Sequence, residues 1–160
     1  DQRTEILILG SFPSEASLAK GQYYGHPKNQ FWRLVGHVVG APLDEMRYEG
    51  RLRTLLAHHI GLWDVIGECE RAGSLDSNIR NVRHNDFDRV IGIVKKLRRV
   101  CFNGKTAGKL EPLFIERGCE TVILPSSSPA NTLHFEAKLD AWRQVMPLQR
   151  ATGAGRSRRA

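Results

Sequence analysis

Cysteine is scarce in this chain, and the three that occur, Cys69, Cys101 and Cys119, are widely separated and never in CxxC spacing. An odd, scattered set excludes a disulfide framework and the cysteine-based zinc and iron–sulfur sites, and it fits a reducing cytoplasm. Long apolar runs are lacking too. None approaches the roughly 18 residues of a membrane-spanning helix, so no membrane partner and no secretory leader is expected. Gly10 is followed by neither the later glycines nor the Lys-Ser/Thr pair of a phosphate cradle, which sets nucleotide binding aside. Ser126, Ser127 and Ser128 have no G-x-S-x-G elbow around them, and His58, His59 and His134 lack the i, i+4 spacing of a helical metal site. No metal and no cofactor is therefore expected. Acidic residues are absent from Arg150 to Ala160, where Arg150, Arg156, Arg158 and Arg159 fall. Without those four arginines the net charge drops from +7 to +3, a weaker sign of a polyanionic partner.

What the chain does contain is material for a core: 160 residues, 41% of them hydrophobic and 26% charged. One domain over 1–149 is expected, followed by a basic, disordered tail over 150–160 with no apolar face to bury. Four apolar runs, "EILILGS", "IGLWDVIG", "RRVCFNG" and "ETVILPSSSP", read as buried strands, each stopped by a polar or Gly/Pro-rich loop. Helix-like stretches lie between them: Phe31 to Val39, Arg51 to His59, Phe87 to Leu97, Thr106 to Arg117 and Phe135 to Val145. The alternation predicts an α/β fold, a three-layer α/β/α sandwich around a short, mainly parallel four-stranded sheet. Ligands of such sheets bind beyond the carboxyl ends of the strands, which selects the loops starting at Gly10, Asp64, Asn103 and Pro125.

The first of these loops runs into "GQYYGHPKNQFWRL", Gly21 to Leu34, which carries adjacent tyrosines where a loop normally sheds aromatic surface. Gly10-Ser11-Phe12-Pro13-Ser14, His26-Pro27-Lys28-Asn29-Gln30-Phe31-Trp32 and Leu124-Pro125-Ser126-Ser127-Ser128-Pro129-Ala130-Asn131 together resemble the uracil-DNA glycosylase superfamily. In the mismatch-specific branch the first loop reads Gly-x-Asn-Pro-Gly, and its distance to a His-Pro-x-Asn-x-Phe-Trp element matches that from Gly10 to His26 without a gap. Phe12 replaces the water-activating Asn or Asp of relatives, and Ser126 replaces their last-loop His or Asn. With "GLWDVI" and "GSLDSNI", these departures resemble the hypoxanthine-DNA, or deoxyinosine, branch.

The resemblance implies a monofunctional DNA repair glycosylase that hydrolyses the N-glycosidic bond of a flipped deaminated base, hypoxanthine first, with uracil or xanthine as further substrates. Its partner would be double-stranded DNA containing that base, with single-stranded DNA as a second form, and nothing demands more than a monomer. In a prokaryote it would work in the cytoplasm, on the nucleoid. Tyr24 then stacks on the base beside Phe12, or else caps the core as Tyr23 does, while Phe31 and Trp32 belong to the core. Asn29 orients the water, caps the helix that follows, or does both. Asp64 accepts hydrogen bonds only, which suits the N1–H of hypoxanthine and repels the bare N1 of adenine; the alternative is a turn cap. Ser126, Ser127, Ser128, Pro129, Ala130 and Asn131 would touch DNA phosphates through hydroxyls and backbone N–H groups, or simply form a loop. Lys105 and Lys109 read best as solvated helix charges. Two other functions fit the residues, a non-catalytic module binding damaged or single-stranded DNA and a small-molecule hydrolase on a related fold.

Overall fold

The computed structural model describes residues 1–70, 74–84 and 86–146, so the basic tail expected at 150–160 lies outside the described residues. In chain order the elements are β1 (Ile6–Gly10), α1 (Glu15–Lys20), α2 (Phe31–Val39), α3 (Tyr48–Ala57), β2 (Ile60–Asp64), β3 (Ile66–Glu70), a 3-10 turn (Asp76–Asn78), β4 (Arg80–His84), α4 (Phe87–Ile93), β5 (Arg99–Asn103), α5 (Lys105–Gly108), α6 (Glu111–Ile115), β6 (Glu120–Leu124), α7 (Phe135–Trp142) and a closing 3-10 turn (Arg143–Val145). The main sheet has four strands in the order β2-β1-β5-β6, all parallel. A separate antiparallel hairpin joins β3 to β4.

Successive strand residues point to opposite faces, and β1 shows why every one of its positions is apolar or Gly. Ile6 and Ile8 join a core with Phe31, Leu34, Leu55 and Trp142, from α2, α3 and α7. Leu7 and Leu9 join another with Val90, Ala107 and Phe114, from α4, α5 and α6. The sheet is thus covered on both faces, and the three-layer expectation holds. None of the helices in the described residues is long and apolar enough to cross a membrane.

Three local expectations are corrected. "IGLWDVIG" is two strands, because Val65 leaves β2 and its N–H, with that of Ile66, turns to the Gly10 and Ser11 carbonyls at 2.8 and 2.9 Å. The helix expected from Thr106 to Arg117 is split into α5 and α6. Pro112 sits in the first turn of α6, where its missing N–H is tolerated, and it could not have continued α5. α3 begins at Tyr48, ahead of the expected Arg51.

The register places the strand ends side by side. Gly10 pairs with Asp64 and Asn103 with Leu124, so the four selected loops leave one edge of the sheet.

Candidate active site

At that edge lies a cavity of about 1050 Å³. It collects Phe12, Tyr24, Asn29, Asp64 and the whole of Ser126 to Asn131, together with 74–77 from the hairpin connection.

Asp64 ends β2 and is 9% exposed. Gly10, beside it in register, has to lack a side chain. A Cβ built there would stand 2.5 Å from Asp64 Oδ1 and 2.9 Å from Tyr24 Oη, so carboxylate and phenol occupy the space above that glycine. Tyr24 has a left-handed backbone, φ 53°, uncommon for a bulky residue and a form of strain that clusters at functional sites. Its ring stacks on Phe31 with centroids 3.7 Å apart and planes 12° from parallel. One face is therefore taken by Phe31, and Tyr24 lines the cavity. Burial first, then the charge of Asp64, drives the Tyr24 phenol well above its ordinary pKa, and a hydrogen bond from Asn103 opposes them. It stays a neutral phenol at any physiological pH. Tyr23 is a packing residue: its N–H donates to Tyr48 Oη at 2.9 Å, its carbonyl accepts Trp32 Nε1 at 3.2 Å, and burial, Asp64 and Tyr48 push its phenol up to about 12.

Asn29 does cap α2. Its Oδ1 accepts the Phe31 N–H at 2.9 Å, while the Asn29 N–H donates to the His26 carbonyl at 3.0 Å. Its Nδ2 makes no hydrogen bond among the described residues, so the group left for chemistry is a donor. His26 Nδ1 accepts the Lys28 N–H at 3.1 Å, which leaves the proton of the neutral ring on Nε2.

The serine loop departs from expectation. Ser127 is fully buried, so its assignment to the DNA surface is corrected: Asn103 Nδ2 donates to its hydroxyl and its N–H donates to Asn103 Oδ1, both at 2.8 Å. Its carbonyl accepts the Gln30 N–H at 3.0 Å. The N–H groups of Ser128, Ala130 and Asn131 are spent inside the loop, on Ser126 Oγ, Ser128 Oγ and the Ser128 carbonyl at 3.1–3.2 Å. The backbone N–H contacts expected with phosphate are thus largely unavailable. Ser126 and Ser128 accept through oxygen and keep their O–H to donate.

Sequence reasoning missed two residues and underrated a third. Asn103, treated only as a loop start, holds both Ser127 and the Tyr24 phenol. Lys138 on α7 is 1% exposed, and its ammonium donates to Gln30 Oε1 at 2.9 Å, to the Asn131 carbonyl at 2.8 Å and to the Ser128 carbonyl at 3.5 Å. Burial lowers its pKa. The signal was its place on the apolar stripe of α7, between Phe135 and Leu139. Asp76 was quoted only as part of "GSLDSNI", yet Ser11 Oγ lies 2.8 Å from each of its carboxylate oxygens.

The sequence profile of the Uracil DNA glycosylase superfamily matches residues 1–150. A Methanosarcina acetivorans protein named Hypoxanthine DNA glycosylase is 51% identical over 145 residues, 91% of this chain and 92% of that protein. One of the same name from Methanosarcina barkeri is 43% identical with the same coverage. The solution NMR structure of a Methanosarcina acetivorans protein described as a candidate uracil DNA glycosylase superposes with a TM-score of 0.81 at 50% identity, covering 91% of this chain and 92% of that one.

Proposed function

Because the chain belongs to the uracil-DNA glycosylase superfamily, we propose that it is a monofunctional DNA glycosylase whose principal substrate is hypoxanthine in deoxyinosine. The observation that carries this reading is the buried Asp64 carboxylate beside the Tyr24 phenol at the floor of a cavity large enough for a base. A carboxylate accepts, so it pairs with hypoxanthine N1–H and meets adenine N1 lone pair to lone pair. Setting a buried acceptor against the lone pair of the wrong base gives strong rejection of it. Uracil and xanthine, which also carry ring N–H groups, are secondary candidates.

The base swings out of the stack and lies against Tyr24, with Phe12 lining the same cavity. Asn29 Nδ2 donates to the attacking water or the sugar edge, a positioning role, while its Oδ1 keeps the head of α2 in place. Ser126 and Ser128 donate hydroxyls to phosphate, and Pro129, Ala130 and Asn131 lie along the DNA without reading sequence. Duplex DNA is the proposed form, single strands the secondary one, and the protein acts as a monomer on the nucleoid. We also propose that it works without a metal, since among the described residues no three His, Cys, Asp or Glu side chains could hold one.

The test is incubation with duplexes carrying deoxyinosine, uracil, xanthine or no lesion, then alkaline cleavage at abasic sites. Excision of hypoxanthine that survives EDTA and leaves no borohydride-trapped adduct is expected. Binding without excision would favour a damaged-DNA module, the reading that Phe12 in the first loop keeps open. A serine hydrolase is disfavoured: among the described residues no histidine is hydrogen-bonded to Ser126, Ser127 or Ser128.

A further inference from the structure

We propose that Asp76 is a catalytic residue, the carboxylate that accepts the proton of the attacking water; this rests on the glycosylase reading above. Hydrolysis of the glycosidic bond needs a proton acceptor at the sugar, and the other groups proposed to meet the nucleotide suit that task less well. Asn29 is an amide whose oxygen already takes the Phe31 N–H. His26 has its Nδ1 lone pair on the Lys28 N–H and presents a donor. Tyr24 is a protonated phenol, and Asp64 is buried beside Gly10, where it is proposed to read the base edge.

Asp76 is different in place and in surroundings. It sits in the connection between β3 and β4, exposed on the cavity wall, and the chain folds it back over the first loop. Two tethers hold it there: Ser11 Oγ, 2.8 Å from both carboxylate oxygens, and Ser74 Oγ, which accepts the Glu15 N–H at 3.2 Å. Among the described residues it shares one hydroxyl proton, which leaves most of the acceptor capacity of a carboxylate for other donors. Its charge also reaches the Tyr24 phenol, so it is felt at the base as well as at the mouth. A carboxylate at that point answers both demands of the reaction, a base for water and a negative charge opposite the sugar cation.

In the step proposed, the water oxygen bonds to C1′ as the C1′–N9 bond breaks with its electron pair passing to hypoxanthine. The water proton moves to Asp76 and then to solvent, which reprotonates the departed base. One water is consumed and no oxidant or further reactant is required.

The experiment compares the parent with Asp76→Ala, Asp76→Asn and Ser11→Ala in single-turnover excision from a deoxyinosine duplex, and in binding to the same duplex bearing the slow-cleaving 2′-fluoro nucleoside. Loss of a general base predicts a fall of about 100-fold or more for both Asp76 variants with affinity for the fluoro duplex retained. Ser11→Ala, which releases the carboxylate without removing it, should lose less. Formate, a small external carboxylate, should restore part of the Asp76→Ala rate, which a merely structural residue would not allow. Parental rates in the Asp76 variants, or a loss that formate does not answer, would overturn the proposal while leaving the glycosylase standing. A parent that binds the duplex and leaves hypoxanthine in place would instead remove the reading on which it rests.

Discussion

Gly10→Ala adds one methyl group and should cost this protein its chemistry before its fold. The new Cβ would lie 2.5 Å from Asp64 Oδ1 and 2.9 Å from Tyr24 Oη, so the carboxylate must retreat about 0.9 Å and the phenol about 0.5 Å to reach an ordinary 3.4 Å contact. Neither has slack. Asp64 is 9% exposed, and the Tyr24 ring is stacked at 3.7 Å on the fully buried Phe31. Overpacking of this kind costs about 1–3 kcal/mol, and for a chain of this size each kcal/mol lowers Tm by about 2–4 °C. A displacement of about 1 Å in a group that orients substrate costs about 100-fold in rate. Gly36→Ala supplies the comparison, because its Cβ would stand 2.6 Å from the Ala41 carbonyl in a backbone clash away from the cavity. Thermal melts with single-turnover excision at saturating enzyme, well below both melting points, separate the two effects. Both variants should melt lower, and Gly10→Ala alone should lose excision. Parental excision by a folded Gly10→Ala, or an equal loss in Gly36→Ala, would mean that Asp64 and Tyr24 do not hold the base.

Asp64→Asn puts an N–H₂ donor at the reading position and should relax the preference for bases with N1–H; equal losses on hypoxanthine, uracil and xanthine would move Asp64 to the water or the sugar. Asn29→Ala should slow single-turnover excision while sparing duplex affinity, and should also cost about 1 kcal/mol of stability by removing the acceptor of the Phe31 N–H at the head of α2, seen in denaturant melts. Lys138→Met removes the donor of Gln30 Oε1 and the Asn131 carbonyl, about 1 kcal/mol for each half-buried acceptor less whatever desolvating the ammonium had cost, so stability and DNA affinity should fall more than the chemical rate. The Tyr23 phenol, raised from 10.0 to about 12, keeps its proton in the folded state where the unfolded chain loses it, so its stabilisation is whole below about pH 10 and disappears as pH climbs towards 12. Tyr23→Phe should make that alkaline limb shallower in melts across the range, although Tyr24 and Cys101, also raised, preserve part of it.

The fold was legible wherever burial is uniform or periodic. β1 and β5, the central strands, are short apolar runs because helices cover both sides of the sheet, and α2 spans Phe31–Val39 as its apolar periodicity implies. Elements without such a pattern stayed hidden. α1 is six residues long with Leu18 56% exposed, so it has no apolar stripe to announce it. The β3–β4 hairpin is built from "IGECE" and "RNVRH", in which charge interrupts any alternation. Strand pairing holds it, from Glu70 with Arg80 out to Ile66 with His84, and composition carries no trace of that.

The site divides on the same line. Tyr24, Asn29 and Asp64, which line one cavity, stood out because their neighbours in sequence form motifs, but the groups that fix them come from far along the chain. Ser11 meets Asp76 across 65 residues, Asn103 meets Ser127 across 24, and Gln30 meets Lys138 across 108. A serine run looks like exposed loop until the partner of each hydroxyl is known. Ser127 turns inward because the Asn103 amide, at the end of a central strand, would otherwise be buried without partners, a cost of about 1–3 kcal/mol for each unsatisfied group. That one amide also reaches the Tyr24 phenol beside Asp64, while the Ser127 carbonyl takes the Gln30 N–H at the head of α2. Gln30 in turn is held by Lys138, which grips the loop proposed to meet DNA. A continuous polar chain therefore joins the group proposed to read the base to the segment proposed to hold the backbone. Registering the DNA and admitting the base are, on this geometry, one rigid arrangement rather than two independent devices.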